Sequence, residues 1–308
     1  MGHSLGEYIA ACVAGVMSPS CAIRLVARRA QAMQRAPKRD GVMVAIRGLS
    51  EKKIRSAMEG ECSVAAVNGP QDVVLSGTRD SVSKVLNRLG DRVKSRALNV
   101  SHAFHSSLMK PAFDEMVPHL NKVSFQDPKI PLVTTLHGHL ATAAHLKSSS
   151  HWAHHMLQPV RFHDSVRTLR RMKCDTFVEI GSGSTLLRLV RKCIDDDDDD
   201  VLYVPSVDES GHIDRALKEL KKSEQVERRS STVNYYVWRD LDEVEIVKEN
   251  VEKKPLLTQF VLESIARVLP GNRSISLDDS LVRSGLDSLS VIELCSRIAS
   301  KFPNVELS

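Results

Sequence analysis

The chain opens on a glycine-rich turn that strongly restricts the backbone around it. Residues Gly2 to Gly6 follow the pattern Gly-x-Ser-x-Gly, with Ser4 at the centre. This pattern is typical of a sharp turn from a strand into a helix, which lifts the serine hydroxyl towards the first helical N–H groups. We expect Gly2 and Gly6 to be required, because a side chain at either position would clash within the turn. Only Met1 precedes the motif, which predicts a fragment that lacks the supporting strand.

Residues 41–100 carry a separate pattern of short strands and helices. Strands are predicted at 42–46, 64–68, 73–76 and 93–100, and helices at 50–58 and 80–89. A turn at Gly69-Pro70 joins the second strand to the third as a hairpin. The resulting order, βαββαβ, is that of the ferredoxin-like split unit, so we expect a small inserted subdomain.

Around this insertion, strands and helices alternate. Helices are predicted from Ser18 to about Gln34, from about Leu108 to Leu120 and at 185–193, and strands at 131–135 and 176–180. Such alternation predicts an α/β domain with a parallel sheet over residues 1–225. The charged stretch 226–254 is interpreted as a linker. Residues 255–308 predict a small all-helical domain that is incomplete at its C-terminal end.

The second predicted helix carries an arginine on its apolar face. Arg29 shares that face with Ala22, Val26 and Met33 at helical spacing. A guanidinium in such a position needs an anion nearby, because burying an unpaired charge is costly. The anion is either a ligand carboxylate or an internal Asp or Glu in a structural ion pair.

Composition disfavours several function classes. The net charge is only +5 and aromatic residues make up 4% of the chain, with no basic stripe, so we predict no nucleic-acid partner. The six cysteines show no paired spacing, which favours a reduced protein. The apolar run from Ile9 to Met17 is too short to span a bilayer, and no signal peptide is evident. We therefore expect a cytoplasmic protein with no membrane partner.

Two clusters of possible metal ligands are weak signals. The acidic run 195–200 lacks the spaced ligands and the glycine of a calcium loop, which favours a solvated loop. His151, His154 and His155 lie about one helical turn apart and could hold a metal. No acidic or cysteine ligand lies near them in the sequence, so we predict no metal site.

Several longer runs occur in a fixed order along the chain. They are residues 2–8 (Gly-His-Ser-Leu-Gly-Glu-Tyr), 25–34 around Arg29, 67–77, 100–106 (Val-Ser-His-Ala-Phe-His-Ser), 158–162 (Gln-Pro-Val-Arg-Phe) and 179–183. Together they resemble the acyltransferase domains of polyketide and fatty acid synthases and the free-standing malonyl-CoA:acyl-carrier-protein transacylases. The resemblance covers about residues 2–225. It implies an α/β-hydrolase-like core with the ferredoxin-like insertion at 41–100.

The resemblance also implies roles for individual residues. Ser4 would be the nucleophile and His105, rather than His102, its base, with main-chain carbonyls orienting the imidazole in place of an acid. The backbone N–H of Leu5 would supply half of the oxyanion hole. Arg29 would bind the free carboxylate of malonate, supplied as malonyl-CoA, through its planar fork.

Three further positions receive secondary roles from the same resemblance. Phe104, grouped with His102, would set acyl selectivity, since a bulky residue here is typical of malonyl-selective members. Asn68 would support the site. The family takes its other oxyanion donor from an upstream Gly-Gln-Gly glutamine that the printed sequence does not contain. Loss of one such donor typically slows the reaction by about a hundred- to a thousand-fold.

Near the far end, Leu286-Asp287-Ser288-Leu289 leads into a predicted helix. The run resembles the attachment motif of acyl carrier domains, in which the serine carries 4′-phosphopantetheine. A helix start suits a phosphodiester because its N–H groups are free, although Asp and Ser are also ordinary helix caps. The resemblance implies covalent phosphopantetheine on Ser288.

The sequence therefore predicts a fragment of a polyketide or fatty acid synthase. Its expected partners are malonyl-CoA or a related acyl-CoA, an acyl carrier domain, a ketosynthase and other synthase domains, and a phosphopantetheinyl transferase. Two alternatives stay open. A serine esterase or thioesterase would use the same turn together with a late acid and a histidine, and would have no use for Arg29. A non-catalytic product would serve only as carrier or scaffold.

Overall fold

The computed structural model describes residues 1–37, 40–90, 92–181, 183–194, 200–206, 216 and 218. These residues fall into two compact units. The first contains the described parts of Met1–Phe177 and Thr185–Leu202, and the second those of Val178–Ser184 and of the chain from Tyr203 onwards. The predicted linker, the predicted carrier domain with Ser288 and most of the acidic run lie outside the described residues.

Helices and strands account for most of the described chain. In order, they are α1 (Gly6–Val13), α2 (Pro19–Arg35), β1 (Gly41–Arg47), α3 (Glu51–Ala57), β2 (Cys62–Gly69), β3 (Asp72–Thr78), α4 (Arg79–Leu89), β4 (Lys94–Ala97), α5 (Lys110–Leu120), β5 (Val133–Thr134), β6 (His139–Leu140), α6 (Ala143–Lys147), α7 (Ser149–His154), α8 (Phe162–Arg171), β7 (Thr176–Glu179), α9 (Thr185–Cys193) and β8 (Leu202–Pro205). A 3₁₀ turn precedes α5. None of the described helices combines the length and apolarity needed to cross a bilayer.

The inserted subdomain has the predicted ferredoxin-like topology. Its four strands lie in the order β2-β3-β1-β4, and all neighbouring pairs are antiparallel. Helices α3 and α4 each begin at a hydroxyl cap, Ser50 and Thr78, which accepts a bond from a backbone N–H in the first turn. Ile54 of α3 and Val82 and Val85 of α4 are buried against the sheet. The expectation from residues 41–100 is confirmed.

A second core is built mainly by helices. Helices α1, α2, α5 and α7 contribute most of its buried side chains. Tyr8 and Trp152 are fully buried at its centre with ring centroids 5.1 Å apart, and the Tyr8 hydroxyl donates to the Trp152 carbonyl. Helix α2 begins at Ser18, whose hydroxyl accepts from the N–H of Cys21, and buries the face that includes Arg29. This core fixes the start of α1, where Ser4 lies.

The extent of the strands differs from the prediction in places. The strand expected at 131–135 is reduced to β5, because the turn at Gly138, with φ of 76°, folds the chain back and pairs β5 with β6. Helices α6, α7 and α8 and strand β8 were not predicted. Strands β7 and β8 form a separate two-stranded sheet. Outside the inserted subdomain, this pair is the only described sheet whose strands are joined through a helix, α9.

Candidate active site

Ser4 sits at the sharp turn that leads into α1. Its φ is 50°, in the left-handed region that a serine rarely adopts. A Cβ at Gly2 would lie 2.1 Å from the carbonyl carbon of Gly6, so Gly2 is required as predicted. The prediction for Gly6 is wrong. Apart from its chain neighbours and the backbone of its own helix, no described atom lies within 4 Å of a Cβ at Gly6, because the chain there has already entered the helix and the added carbon would meet open space.

Ser4 and His105 lie side by side, although 101 positions separate them in the sequence. The Ser4 Oγ is 2.8 Å from Nε2 of His105. The Nδ1 of His105 is 3.0 Å from the carbonyl oxygen of Gln158, which can only accept, so Nδ1 carries the proton. Nε2 is then free to accept the serine proton. His105 also has a positive φ, 56°, and two strained residues in contact are typical of a functional site.

His105 is held in its neutral form. Burial, followed by the charge of Arg29, lowers the pKa of His105 to about 3. At neutral pH the imidazole is therefore unprotonated and able to act as a base.

The carbonyl that orients His105 is fixed by the inserted subdomain. The Val160 N–H donates to the Ala65 carbonyl, and the Val67 N–H donates to the Val160 carbonyl. Both partners belong to β2. Val160 is thus bonded on both sides to the edge strand of the subdomain sheet, two residues after the Gln158 carbonyl that contacts the base.

Arg29 is the cationic member of the site. It is only 3% exposed, and its Nη2 donates to the Ser4 Oγ at 3.2 Å. Its Nε is buried and has no hydrogen-bond partner among the described residues. None of those residues forms an ion pair with Arg29. Burial lowers the pKa of Arg29. The internal ion pair considered from the sequence is thus not present in the described part of the chain, where the guanidinium instead lies over the Tyr8 ring, 5.8 Å from its centroid.

His102 and Phe104 lie on the segment that carries His105. His102 is fully buried, donates from Nε2 to the Ala36 carbonyl and accepts at Nδ1 from the Ser101 hydroxyl. It therefore has no ring nitrogen left to contact a ligand. Phe104 is half-buried and its ring centroid is 5.9 Å from that of His102, so the His102 ring packs against Phe104.

Leu5 and Asn68 complete the predicted set. The Leu5 N–H donates to no described residue, which leaves it available for an oxyanion next to Ser4. The side-chain oxygen of Asn68 accepts from Nε2 of His3 at 2.9 Å, and its main-chain carbonyl accepts from the Cys193 thiol. Asn68 therefore connects β2 to the residue that precedes the serine.

Sequence reasoning assigned no role to Glu7 beyond its place in the motif. Its carboxylate is fully buried, 3.0 Å from Nε2 of His155 and 3.3 Å from Nε2 of His151. The structure gives His151 and His155 an acidic neighbour that is not near them in the sequence, because packing of α1 against α7 brings together residues more than 140 positions apart. Neither sequence spacing nor periodicity could reveal that contact.

Two regions of the chain match known protein families. Residues 1–229 match the family described as acyl transferase domain, and residues 259–308 match the phosphopantetheine attachment site domain, which carries that group covalently. Polyketide synthase GfsA of Streptomyces halstedii is 42% identical over 198 residues, or 63% of this chain and 3% of that protein. The PKS-NRPS hybrid synthetase ATPKS of Aspergillus niger is 36% identical over 64% of this chain and 11% of its own length.

Solved structures give the same result for the fold. The acyltransferase domain from the second module of the salinomycin polyketide synthase matches with a TM-score of 0.64 and 33% identity, covering 75% of this chain and 58% of that one. FabD from Acinetobacter baumannii matches with a TM-score of 0.65 and 29% identity, covering 72% and 71%. The chain spans only a small part of the length of the curated relatives named above. Its residues 1–229 belong to the acyl transferase domain family, and a phosphopantetheine attachment domain follows them.

Proposed function

We propose that this chain is the acyltransferase and carrier part of a polyketide or fatty acid synthase, and that it moves a malonyl group from coenzyme A to a carrier thiol. The observation that supports this most directly is the buried Arg29. It lies against a serine paired with a neutral histidine, and its Nε has no described partner. A free carboxylate on the acyl group would meet that need.

In the first half-reaction, the Ser4 hydroxyl gives its proton to Nε2 of His105 while Oγ attacks the thioester carbonyl. The oxyanion that forms accepts a hydrogen bond from the Leu5 N–H. When the C–S bond breaks, the departing thiolate takes the proton from His105. Ser4 is left as a malonyl ester and His105 is neutral again.

The second half-reaction reverses these steps with a different thiol. Ser288 would carry the phosphopantetheine arm, which would supply the accepting thiol. His105 would take the proton of the acceptor and return it to Ser4 Oγ as the ester C–O bond breaks and the malonyl group leaves Ser4. Both half-reactions therefore begin and end with neutral His105.

Acyl selectivity is proposed to depend on Arg29 and Phe104. The guanidinium offers Nε and Nη atoms in one plane, which matches the two oxygens of a carboxylate. The ring of Phe104, supported by His102, would restrict space beside the acyl chain and disfavour an α-methyl branch. His102 itself acts only through that contact, because both of its ring nitrogens are occupied.

The proposal extends to partners and location. The curated relatives are much longer synthases, so we propose that the chain works with a ketosynthase and other synthase domains. A phosphopantetheinyl transferase would modify Ser288, and the complex would lie in the cytoplasm.

The hydrolase alternative has less support. A serine hydrolase triad orients its histidine with a carboxylate. Here the described partner of Nδ1 on His105 is the Gln158 carbonyl. A buried arginine against the nucleophile also has no role in hydrolysis of a neutral ester.

The test is intact-mass analysis of the chain after mixing with malonyl-CoA. A malonyl adduct that persists on Ser4, is absent in Ser4→Ala and moves to a phosphopantetheinylated carrier supports the proposal. Rapid release of free malonate would favour a hydrolase. Modification of Ser288 with no acylation of Ser4 would favour a carrier or scaffold.

A further inference from the structure

Glu7 presents an unusual electrostatic situation. Its carboxylate is fully buried. Its two oxygens lie within hydrogen-bond distance of five donor groups on His151, His155, Thr134 and Thr135. A buried carboxylate is paired with a positive charge or coordinates a metal ion.

The geometry of the cluster matches that of a bound metal ion. One oxygen of Glu7 lies 3.0 Å from Nε2 of His155 and 3.3 Å from Nε2 of His151. All three atoms lie within 4.8 Å of one another. Ligands about 2.0–2.1 Å from a tetrahedral ion are about 3.3 Å apart. The two distances from the Glu7 oxygen are therefore close to those between ligands on one ion.

We propose that Glu7, His151 and His155 form a binding site for a divalent transition-metal ion of the Zn²⁺ class. Two imidazoles and one carboxylate are a donor set that zinc commonly uses. The ion would replace the two imidazole protons that now face the carboxylate. It would supply the positive charge that the buried Glu7 requires.

The surroundings of the carboxylate support the site. Thr135 places its backbone nitrogen and its hydroxyl each 2.6 Å from the other oxygen of Glu7. The Thr134 hydroxyl donates to the oxygen that faces the histidines. Such hydrogen bonds fix the orientation of a metal-binding carboxylate. The ligand oxygen is thus held in place before any ion arrives.

The proposed site borders a cavity. The ring of His151 forms part of the wall of a cavity of about 570 Å³, together with His137, His145 and His154. The His137 and His151 ring centroids are 5.6 Å apart. A water molecule from this cavity can complete the coordination of an ion held by three protein ligands.

The position of the site gives it a structural role. Glu7 lies three residues after Ser4 on α1, and His155 lies three residues before Gln158, whose carbonyl orients His105. A bound ion would join the helix behind the serine to the segment behind the base. It would stabilise the relative placement of the two without contacting the acyl group.

The test uses the whole 308-residue chain, stripped with a chelator and titrated with Co²⁺ as a spectroscopic probe for zinc. We expect one Co²⁺ per chain with the intense visible absorption of a tetrahedral site, displaced by Zn²⁺. His155→Asn should weaken Co²⁺ binding by at least about 100-fold, since loss even of an outer hydrogen-bond partner costs 10–100-fold. Asn keeps a donor for Glu7, which protects the fold.

His154→Ala is the matched control, because His154 lines the same cavity but bonds to Ser150 rather than to Glu7. It should keep the wild-type affinity. Glu7→Gln, which keeps the shape but removes the charge, should abolish the tetrahedral spectrum. The proposal is overturned if the wild-type chain binds no stoichiometric Co²⁺. It is equally overturned if His155→Asn binds as tightly as wild type, since adventitious binding to the chain's 12 histidines would then explain the signal.

Discussion

Replacement of Arg29 by alanine separates recognition of the acyl carboxylate from acyl transfer itself. Arg29 is almost fully buried and contacts Ser4. In Arg29→Ala, the malonyl carboxylate would enter the site without a partner. Removing one member of a buried charge pair costs about 3–5 kcal/mol, and 1.36 kcal/mol is a factor of ten in rate. We therefore expect kcat/KM for malonyl-CoA to fall by about 10²–10⁴-fold.

Acetyl-CoA serves as the comparison substrate because it lacks the carboxylate. Its transfer should lose only the hydrogen bond from Arg29 to Ser4, which is worth about 1 kcal/mol or less than tenfold. The assay is the rate of acyl-Ser4 formation by mass spectrometry with each substrate. Arg24→Ala is the matched control on the same helix, since Arg24 is exposed and bonds to Ser20.

The rates of malonyl and acetyl transfer in Arg29→Ala show whether Arg29 binds the substrate carboxylate. If malonyl and acetyl transfer fall by the same factor, Arg29 acts on the serine or on the fold and not on the carboxylate. If neither falls, the buried guanidinium has a partner other than the substrate, and the reasoning from its unpaired Nε fails.

Three further predictions follow from particular residues. Gly2→Ala should abolish acylation and lower the melting temperature, because the added Cβ would overlap Gly6. Gly6→Ala should be tolerated, and calorimetry that shows equal destabilisation in the two variants would contradict this reasoning. His105 has a folded pKa of about 3, below its usual 6.5, so its contribution to stability is present above pH 6.5 and is lost as the pH falls from 6.5 towards 3. Denaturant unfolding across that range should show the loss, and His105→Gln should reduce it; an unchanged profile in the variant would refute the assignment. Ser288→Ala should prevent phosphopantetheinylation by mass spectrometry while Ser284→Ala should not, and continued modification of Ser288→Ala would show that another residue carries the group.

Much of this architecture could be predicted from local sequence signals. The βαββαβ pattern of residues 41–100 could be found because its strands alternate, its helices begin at hydroxyl caps and its hairpin turns at Gly69-Pro70. The approach of Arg29 to the site could be anticipated because a charge on an apolar helical face needs an anion. The neighbourhood of Ser4 and His105 was implied by resemblance alone, since nothing in the spacing of two residues so far apart indicates contact.

Other features depend on contacts that no local pattern encodes. The pairing of β5 with β6 depends on a turn at Gly138 that brings Asp164 within 2.5 Å of where a Cβ would lie. The cluster of Glu7 with His151 and His155 requires α1 and α7 to pack together. The sequence could not show that a side chain is accepted at Gly6 but not at Gly2, because both glycines belong to the same motif. Only the direction in which a Cβ would point distinguishes the two positions.

The group that aligns the imidazole of His105 is a main-chain oxygen, and every amino acid at position 158 would supply the same oxygen. Point substitution can therefore remove the nucleophile or the base of this chain but cannot delete the third partner, unlike the acid of a serine protease. What can disturb it is a shift of the backbone around Gln158, and Val160, two residues further on, is bonded to Ala65 and Val67. Mutations that loosen the small β-sheet at that edge should thus resemble active-site lesions, although they lie in a subdomain with no reactive group of its own.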